Sequence, residues 1–455
     1  MIALEYFGIL IAGLALYWAI PHNRLRLSVL SALSLLFIWL LDPMSALVVI
    51  GLSGYTFIFG GIIHRHRDKP GWHTAAVLGI LLLLVFFKYL GMLSGISDAF
   101  YLFLENLPNF SLHRLFLPLG ISYITFKHIS YLTDIKWGMI SPGRFDDFLL
   151  YSSFFTIYLA GPIERYERFA PQLETAAKPI RQDWHEGSRR IAIGLFKKLV
   201  IADWLAYFLA PIWKSPEAYS AWQALAALFA YAFVIYYDFA GYSDIAIGAS
   251  RLFGIRIMEN FDRPYLAGNI SQFWRRWHIS LSDWIRDYLF FPLSRLSKRK
   301  VWNIFWVPVI AMALCGLWHG ADSRYLVWGI WHGLGLSALQ IYLQLKRKAA
   351  AGSKKRLNSL LKWIGMPTTL FFVFFGWLSF RAFGLALALR IFGDPQALTL
   401  IPVIFILLIF LQDTLQKSSV LLAKLSWRLE YTIYTLILTM ILYSAVHSDF
   451  IYAGF

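Results

Sequence analysis

The sequence is poor in charge and in cysteine, and it lacks the motifs of several common enzyme classes. Only 15% of its 455 residues are charged, whereas about a quarter is usual in a soluble protein. Its one cysteine, Cys315, excludes an intramolecular disulfide. The motifs G-x-S-x-G, Walker A and H-E-x-x-H are missing, and so is any Cys/His metal cluster. The sequence therefore indicates none of the enzymes that depend on these motifs, and we expect no bound metal ion.

Hydrophobic residues, by contrast, make up 58% of the chain, and the mean hydropathy is +0.58. Apolar runs long enough to cross a bilayer recur from end to end, for example AAVLGILLLLVFFKYLGML at 75–93. Backbone groups in lipid must be hydrogen-bonded internally, so such runs form helices, whereas outer-membrane barrels show short alternating strands. The sequence therefore predicts an all-α, polytopic integral membrane protein.

Hydropathy predicts eleven or twelve transmembrane helices. The candidate spans are 2–20, 27–41, 44–63, 74–93, 114–134, 189–210, 221–250, 301–318, 324–345, 359–383, 398–416 and 430–450. Two further apolar stretches, 146–161 and 266–293, are interrupted by Gly, Pro or charge, and we expect them to be re-entrant or interfacial. The sequence shows no internal repeat and no long linker, so residues 1–455 are expected to form a single multi-pass domain.

The net charge of +16 and the pI of about 9.7 would suggest a nucleic-acid partner if the protein were soluble. Here Lys and Arg lie in short loops between apolar runs, as in the cytoplasmic loops of membrane proteins, so we expect no nucleic-acid partner. With both termini outside, every basic loop falls on the cytoplasmic side. These loops carry Arg24 and Arg26; Arg65, Arg67 and Lys69; Lys136 and Arg144; the stretches 163–190, 251–300 and 346–356; and Lys417, Lys424 and Arg428. Residues 1–20 are not interpreted as a cleaved signal peptide, because Glu5 stands where such a signal is basic.

The stretch ISQFWRRWHISLSDWIRDYLFFP (270–292) is unusually rich in Trp and Arg for an apolar region. A single helix would have two polar faces, one with Arg275, His278 and Ser282 and the other with Arg276, Ser280, Asp283 and Asp287. Asp283 and Arg286 would pair along it. One interpretation is an interfacial helix with a Trp belt and snorkelling arginines. The other is a cationic, aromatic wall for an anionic cofactor, because Arg binds phosphates well.

A second polar cluster, YYDFAGYSDIAIG at 236–248, lies inside an apolar run. Asp238 and Asp244 would be costly at membrane depth and would not face lipid. They are either buried carboxylates that pair with an arginine, or they form a polar wall of a reaction cavity.

A third segment, CGLWHGADSRYLVWGIWHG at 315–333, contains Trp-His-Gly twice. The predicted topology places His319 near the outer end of its helix and His332 about 12 Å deeper in the next helix, at 1.5 Å per residue. A neutral imidazole can accept a proton near neutral pH, so either histidine is a candidate base, although a packing role is open for both. Cys315 lies one turn before His319, which leaves a Cys–His nucleophile pair as a further alternative.

Several motifs, taken together and in this order, resemble the membrane-bound O-acyltransferase family, in its bacterial branch of alginate and peptidoglycan O-acetyltransferase subunits and the teichoic-acid D-alanyl-transfer protein. The matching stretches are PLGISYITFKHISYLTD (118–134), AGPIERYERF (160–169), GLFKKLVIAD (194–203), YYDFAGYSDIAIG, FWRRWHISLSDWIRDYLFFP, CGLWHGA and FFGWLSFRAF (374–383). The resemblance covers a core at about 115–383, with further helices at 1–114 and 384–455. It implies a fold of many helices around a central tunnel.

The resemblance also implies the chemistry and the site. The family's catalytic histidine matches His319, and its second polar site residue matches His278. His332 matches no catalytic position and is expected to be structural or cavity-lining. Acetyl-CoA would present its thioester through the tunnel from the cytoplasm, with Arg275 and Arg276 on its phosphates and with Trp274 and Trp318 lining the donor site.

The implied acceptor is a hydroxyl of a periplasmic partner that resembles an SGNH hydrolase, within a complex for exported polysaccharides such as alginate. This places the chain in the bacterial inner membrane, in contact with lipid. An alternative is D-alanyl or other acyl transfer from a phosphopantetheine carrier protein. A remote alternative is a transporter or flippase. Such a protein would show inverted repeats, and the sequence shows none. The chain departs from the acetyltransferase branch in FFPLSRLSK (290–298), which replaces a Pro and Gly-Gly pattern, and in Cys315, which replaces a serine; both departures weaken the acceptor assignment.

Overall fold

A computed structural model describes residues 2–89, 118–174, 181–320, 322–349 and 355–380, with a few isolated positions beyond them. Within these ranges the secondary structure is helical and contains no strand, which confirms the all-α prediction. The helices are α1 (Ile2–Ala19), α2 (Asn23–Leu41), α3 (Pro43–Arg65), α4 (Pro70–Tyr89), α5 (Ile121–Trp137), α6 (Phe145–Ser153), α7 (Tyr166–Glu174), α8 (Arg181–Leu195), α9 (Asp203–Lys214), α10 (Ala221–Leu252), α11 (Ile270–Trp274), α12 (Ile279–Ile285), α13 (Phe291–Arg295), α14 (Val307–His319), α15 (Ser323–Ala349) and α16 (Lys355–Phe380). Three π-helical segments, Phe196–Ala202, Arg286–Phe290 and Trp302–Trp306, lead into α9, α13 and α14.

Six helices in the described ranges are long and apolar enough to cross a membrane: α2, α3, α4, α10, α15, and α14 together with its π-helical start. Their bounds lie close to the predicted spans; the span predicted at 44–63, for example, is α3 at Pro43–Arg65. The protein is therefore a multi-pass membrane protein. The spans predicted at 398–416 and 430–450 lie outside the described ranges.

The chain divides by its internal contacts into two compact units. The first contains the residues up to Ile191 together with Ile245–Met258, and the second contains Ala192–Asp244 and the residues from Glu259 onward. Helix α10 contributes residues to both units. The prediction of one domain over 1–455 stays a prediction.

In the first unit, helix α5 is buried over nearly its whole length. Gly120 (φ 71°) precedes it and Gly138 (φ 77°) follows it; both adopt the left-handed conformation that glycine tolerates and that commonly ends a helix. The imidazole of His128 is held between Thr56 Oγ1 at 2.8 Å and Ser152 Oγ at 2.7 Å. Both ring nitrogens of His128 are thus hydrogen-bonded, as the interior of a membrane protein favours.

The helix at the start of the 146–161 stretch, α6, ends at Ser153, and the chain stays buried and non-helical after it. Phe154 and Phe155 are fully buried there. The predicted interruption of this stretch is therefore confirmed.

In the second unit, α14 and α15 form an antiparallel hairpin with very close backbones. A Cβ at Gly316 would overlap the carbonyl of Tyr325, and a Cβ at Gly329 would overlap the carbonyl of Met312. Small residues at such crossings are typical of helices that pack in a membrane. This hairpin carries both Trp-His-Gly copies.

The 270–292 stretch is not one helix, so the two polar faces expected for it are wrong. Helix α11 begins after Asn269, whose side chain accepts a hydrogen bond from the backbone of Gln272 at 2.9 Å, and it ends at Trp274. The chain then turns, and His278 adopts a left-handed conformation (φ 42°) before α12 begins at Ile279. Because of this turn, His278 no longer has a helical spacing from the residues before it. The expected Asp283–Arg286 pair is confirmed, at 2.5 Å.

Candidate active site

His319 is the last residue of α14 and is almost completely buried in the second unit, with 3% of its surface exposed. Gly320 follows it with extended backbone and caps the helix. A Cβ at Gly320 would overlap the ring of Tyr325. The glycine of the first Trp-His-Gly copy therefore allows the chain to turn tightly beside the histidine.

Aromatic rings surround the His319 imidazole. Ring centroids lie 4.8 Å away in Trp318, 5.2 Å in Trp328 and 5.4 Å in Phe380, with the Trp328 ring at 89° to the imidazole plane. Such a site excludes bulk water, which strengthens electrostatic interactions inside it. Trp318 thus contacts the His319 ring, and its predicted role in lining the donor site stays a prediction.

His278 is 1% exposed and is held by a polar network. Its Nδ1 lies 3.0 Å from Oδ1 of Asn260, which also accepts a hydrogen bond from Ser280 Oγ at 2.9 Å. The amide nitrogen of Asn260 donates to Ser243 Oγ at 3.1 Å, which fixes the orientation of that amide. Because Oδ1 can only accept, Nδ1 of His278 carries a proton, and Nε2 of the neutral ring is the acceptor nitrogen.

Asn260 also holds the backbone of His278, which has a positive φ. A non-glycine residue at positive φ is uncommon and costs free energy unless its surroundings hold it there. Here the backbone N–H of Ile279 donates to the carbonyl of Asn260 at 2.9 Å, next to the side-chain contacts. Asn260 therefore fixes both the backbone and the ring of His278.

Ring contacts join the two histidine segments within the second unit. Trp277 lies 5.2 Å from Trp377, Trp377 stacks on Trp328 at 5.9 Å, and Trp328 lies 5.2 Å from His319. Trp277, the residue before His278, is thus linked to His319 through the rings of Trp377 and Trp328.

The two candidate phosphate ligands lie at the turn between α11 and α12. Arg275 is exposed and donates to Ser271 Oγ at 2.9 Å, and Arg276 is half-buried and donates to the carbonyl of Leu266 at 3.3 Å. Both acceptors are uncharged groups, so an anion would compete with them for the guanidinium donors. Their role as phosphate ligands stays a prediction.

The acidic pair of α10 is bound to lysines, so the expected arginine partner is wrong. Lys197 contacts Asp244 at 2.6 Å, and Lys198 contacts both Asp238 at 2.6 Å and Asp203 at 2.7 Å. Both lysines lie on the π-helical segment after α8. This arrangement favours the structural interpretation of Asp238 and Asp244.

His332 and Trp274 lie together in an aromatic cluster. His332 is fully buried, and its ring centroid lies 5.2 Å from that of Trp274 and 4.9 Å from that of Trp328. A Cβ at Gly333 would overlap the backbone of Val309, so the second glycine serves helix packing. Trp328 contacts both histidines of the hairpin, His319 and His332.

Asn260 is the site residue that sequence reasoning missed. It precedes the FDRPY segment at 261–265 and lies outside the motif stretches considered. Its amide reaches Ser243 and Ser280, which belong to two of those stretches. A buried carboxamide near a Pro-containing loop is the signal that could have pointed to it.

Comparisons with known proteins identify the family that the chain is similar to. Residues 140–383 match the model of MBOAT, the membrane-bound O-acyltransferase family. The chain is 35% identical over 336 residues to the probable alginate O-acetylase AlgI of Pseudomonas aeruginosa, covering 72% of this chain and 61% of that protein. It is 32% identical over 366 residues to the peptidoglycan O-acetyltransferase of Helicobacter pylori, covering 72% of this chain and 66% of that protein.

A third relative is the teichoic acid D-alanyltransferase of Bacillus subtilis, which is 29% identical over 359 residues, covering 76% of this chain and 87% of that protein. The match spans about six tenths of the length of the alginate O-acetylase from Pseudomonas aeruginosa.

Proposed function

Because the chain belongs to the membrane-bound O-acyltransferase family, we propose that it is an O-acyltransferase that moves an acetyl group from acetyl-CoA to a hydroxyl group. The observation that carries this proposal is the position of His319. A buried imidazole ends a helix among aromatic rings, in a chain whose relatives are named for acetyl and alanyl transfer. Such a site suits proton transfer without bulk water.

The reaction needs one base and a stabilised oxyanion. The acceptor hydroxyl oxygen attacks the thioester carbonyl carbon while His319 takes the hydroxyl proton. The tetrahedral intermediate then collapses, the C–S bond breaks, and the sulfur receives the proton from His319. The products are an ester and a free thiol. The C-terminal end of α14 carries partial negative charge, which stabilises the imidazolium formed during the reaction.

His278 orients a reacting group, because its Nδ1–H is donated to Asn260 and its Nε2 can accept a hydrogen bond from the acceptor hydroxyl; charge on the oxyanion could be stabilised only if Nε2 were also protonated. With Nδ1 bound to Asn260, its ring has a fixed orientation. A fixed dipole is useful in catalysis because it needs no reorganisation when charge develops.

Arg275 and Arg276 hold the phosphates of the donor. An exposed and a half-buried guanidinium lie next to Trp274 in sequence, at the turn after α11. Planar guanidinium groups bind phosphates with paired hydrogen bonds. Acetyl-CoA carries too much charge to cross a bilayer, so the protein would bind its phosphates at the cytoplasmic side and admit only the thioester arm.

The acceptor is a serine hydroxyl on a periplasmic SGNH-hydrolase-like partner, which passes the acetyl group to an exported polysaccharide such as alginate. The chain would lie in the bacterial inner membrane with both termini outside. The names of the relatives support this proposal, because they describe the modification of a polysaccharide or of the cell wall.

A second candidate is D-alanyl transfer from a phosphopantetheine carrier. One observation favours it: the match to the teichoic acid D-alanyltransferase of Bacillus subtilis covers 87% of that protein, more than the 61% for the alginate O-acetylase of Pseudomonas aeruginosa. For this donor, the chain would need a surface that binds the carrier protein, instead of side chains that bind the phosphates of acetyl-CoA.

One experiment separates the two donors. Purified full-length protein is incubated with isotope-labelled acetyl-CoA or with a D-alanyl-loaded carrier, and a co-purified partner is examined by intact-mass spectrometry. The proposal predicts label from acetyl-CoA on a serine of the partner, and loss of that label in Arg275→Glu/Arg276→Glu. Label only from the carrier would favour D-alanyl transfer, and label from neither would refute acyl transfer.

A further inference from the structure

Three side chains of the second unit form a closed triangle of ring contacts beside His319. The ring centroids lie 5.2 Å apart between Trp274 and His332, 4.9 Å between Trp328 and His332, and 5.7 Å between Trp274 and Trp328. All three residues are buried, at 7%, 1% and 0% exposed for Trp274, Trp328 and His332. We call this group the Trp274–Trp328–His332 triangle.

The triangle contains four buried polar atoms that need an explanation. They are Nε1 of Trp274, Nε1 of Trp328, and both Nδ1 and Nε2 of His332, and no hydrogen bond joins any of them to another atom of the described residues. A buried donor or acceptor that stays unsatisfied costs free energy, so native proteins leave few of them. Four on three touching side chains point to a polar group that fills the triangle during function.

One further contact limits the bulk that can lie beside His332. A Cβ at Gly376 would lie 2.9 Å from Nε2 of His332, so a larger residue there would displace the imidazole. Glycine on α16 therefore lets this nitrogen keep its position in the triangle.

The hydrogen-bonding inventory of the triangle defines the chemical class of its occupant. Each indole offers one N–H donor, and a neutral imidazole offers one donor and one acceptor. The sum is three donors and one acceptor, and none of the three side chains carries a formal charge. A secondary amide matches three of these four groups, because its carbonyl oxygen accepts hydrogen bonds from two of the donors and its N–H donates one to the acceptor. A hydrocarbon offers neither, and a phosphate would be buried without a cation.

We propose that the Trp274–Trp328–His332 triangle is a subsite for an uncharged amide of the substrate, and that His332 positions this amide so that the reacting group reaches His319. The inference rests on the proposed acyl transfer. Trp328 makes the connection, because its ring contacts both His332 and His319. An amide in the arm of the thioester donor and a peptide amide of the acceptor share this chemistry.

The experiment varies the amide in one substrate at a time, with full-length protein in detergent. In the donor arm, transfer from S-acetyl-N-acetylcysteamine is compared with transfer from S-pentyl thioacetate, which has the same length but no amide, and a simple alcohol is the acceptor. In the acceptor arm, a serine peptide is compared with the alcohol, and S-pentyl thioacetate is the donor. The readout is the ratio of kcat/KM for the amide-bearing and the amide-free substrate.

The variants remove nitrogens while a planar side chain stays at each position. His332→Phe removes both nitrogens and keeps a ring, whereas His332→Gln keeps one donor and one acceptor. Trp328→Phe removes an indole N–H of the triangle. Trp331→Phe is the matched control on the same helix, because the indole of Trp331 already donates to the carbonyl of Phe372 at 3.0 Å.

In one of the two arms, the wild-type protein is expected to prefer the amide-bearing substrate by about tenfold, as one or two neutral hydrogen bonds would give. The ratio should fall to about one in His332→Phe, recover in part in His332→Gln, and stay unchanged in Trp331→Phe. The thermal midpoint of His332→Phe should not fall, because the substitution removes unsatisfied buried atoms; a purely structural histidine would predict a lower midpoint.

Two results would overturn the inference while the acyl-transfer proposal stands. One is equal transfer of amide-bearing and amide-free substrates by the wild-type protein in both arms. The other is an unchanged preference in His332→Phe or, if that variant does not accumulate, in Trp328→Phe. Acetyl-CoA is the positive control: a wild-type protein that transfers from acetyl-CoA but shows no preference for the amide-bearing small substrates refutes the inference alone, whereas a wild-type protein that transfers from neither thioester nor from acetyl-CoA refutes the acyl-transfer proposal and the inference with it.

Discussion

Lys197 and Lys198 are neighbours in the chain, yet replacing each by methionine should have very different consequences. Lys198 lies 2.6 Å from Asp238 and 2.7 Å from Asp203, and both carboxylates have only 1% of their side-chain surface exposed. Loss of one partner from a buried ion pair costs about 3–5 kcal/mol, because the remaining charge stays buried. We therefore expect Lys198→Met to lower the free energy of unfolding by at least about 3 kcal/mol.

Lys197 provides the matched control. Its ion pair with Asp244 leaves 26% of the lysine side chain and 10% of the carboxylate side chain exposed, so Lys197→Met should cost only about 1 kcal/mol. The difference of about 2 kcal/mol corresponds to a factor of about 30 in the unfolding equilibrium. Replacing the buried charges together, in Lys198→Met/Asp203→Asn/Asp238→Asn, should recover most of the loss, since no uncompensated charge then remains.

The assay is unfolding by titration with sodium dodecyl sulfate in mixed micelles, followed by tryptophan fluorescence. Equal losses in Lys197→Met and Lys198→Met would refute the reasoning, because burial would then not decide the cost. A triple variant no more stable than Lys198→Met would also contradict it.

Three further predictions concern Asn260, His278 and the α14–α15 hairpin. Asn260→Ala should lower stability by about 3 kcal/mol, about 1 for each of the three shortest side-chain hydrogen bonds of Asn260, and should reduce transfer; an unchanged unfolding curve would argue against its positioning role. His278→Gly should be more stable than His278→Ala by about 1 kcal/mol, because φ is 42°, while both lose transfer activity; the reverse order in thermal unfolding would be inconsistent with the left-handed backbone. Gly329→Ala should be destabilising because its Cβ would overlap the Met312 carbonyl, whereas Gly51→Ala, with open space around it, should stabilise α3 by about 1 kcal/mol; equal midpoints for the two would count against close packing in the hairpin.

The long helices were predictable because length and hydropathy alone determine them. The sequence also indicated that the 146–161 stretch does not form one continuous span, and it predicted the Asp283–Arg286 pair. These features depend on local composition and on spacing along one helix. None of them requires knowledge of what another segment contributes.

The turn at His278 could not be predicted in the same way. No Gly or Pro marks it, and the helical spacing of Arg275, His278 and Ser282 suggested one continuous helix. The conformation depends on Asn260, eighteen residues earlier, whose carbonyl and amide both reach the segment. Tertiary hydrogen bonds therefore decide a local conformation here.

Two other features depended on partners that composition does not reveal. Asp238 and Asp244 pair with lysines instead of an arginine, because the π-helical segment after α8 brings both Lys197 and Lys198 to α10. The two Trp-His-Gly copies can be told apart by family resemblance, but the ring contact that places His332 against Trp274 joins two helices, α15 and α11, that are distant in the sequence.

The most direct test of the central claim is single-turnover acyl transfer from acetyl-CoA to a hydroxyl acceptor by the wild-type protein and by His319→Ala. General base catalysis by this imidazole predicts a loss of at least about 100-fold in the rate of transfer, with the thermal midpoint and the donor affinity retained. A folded His319→Ala protein that transfers the acetyl group at the wild-type rate would contradict the account.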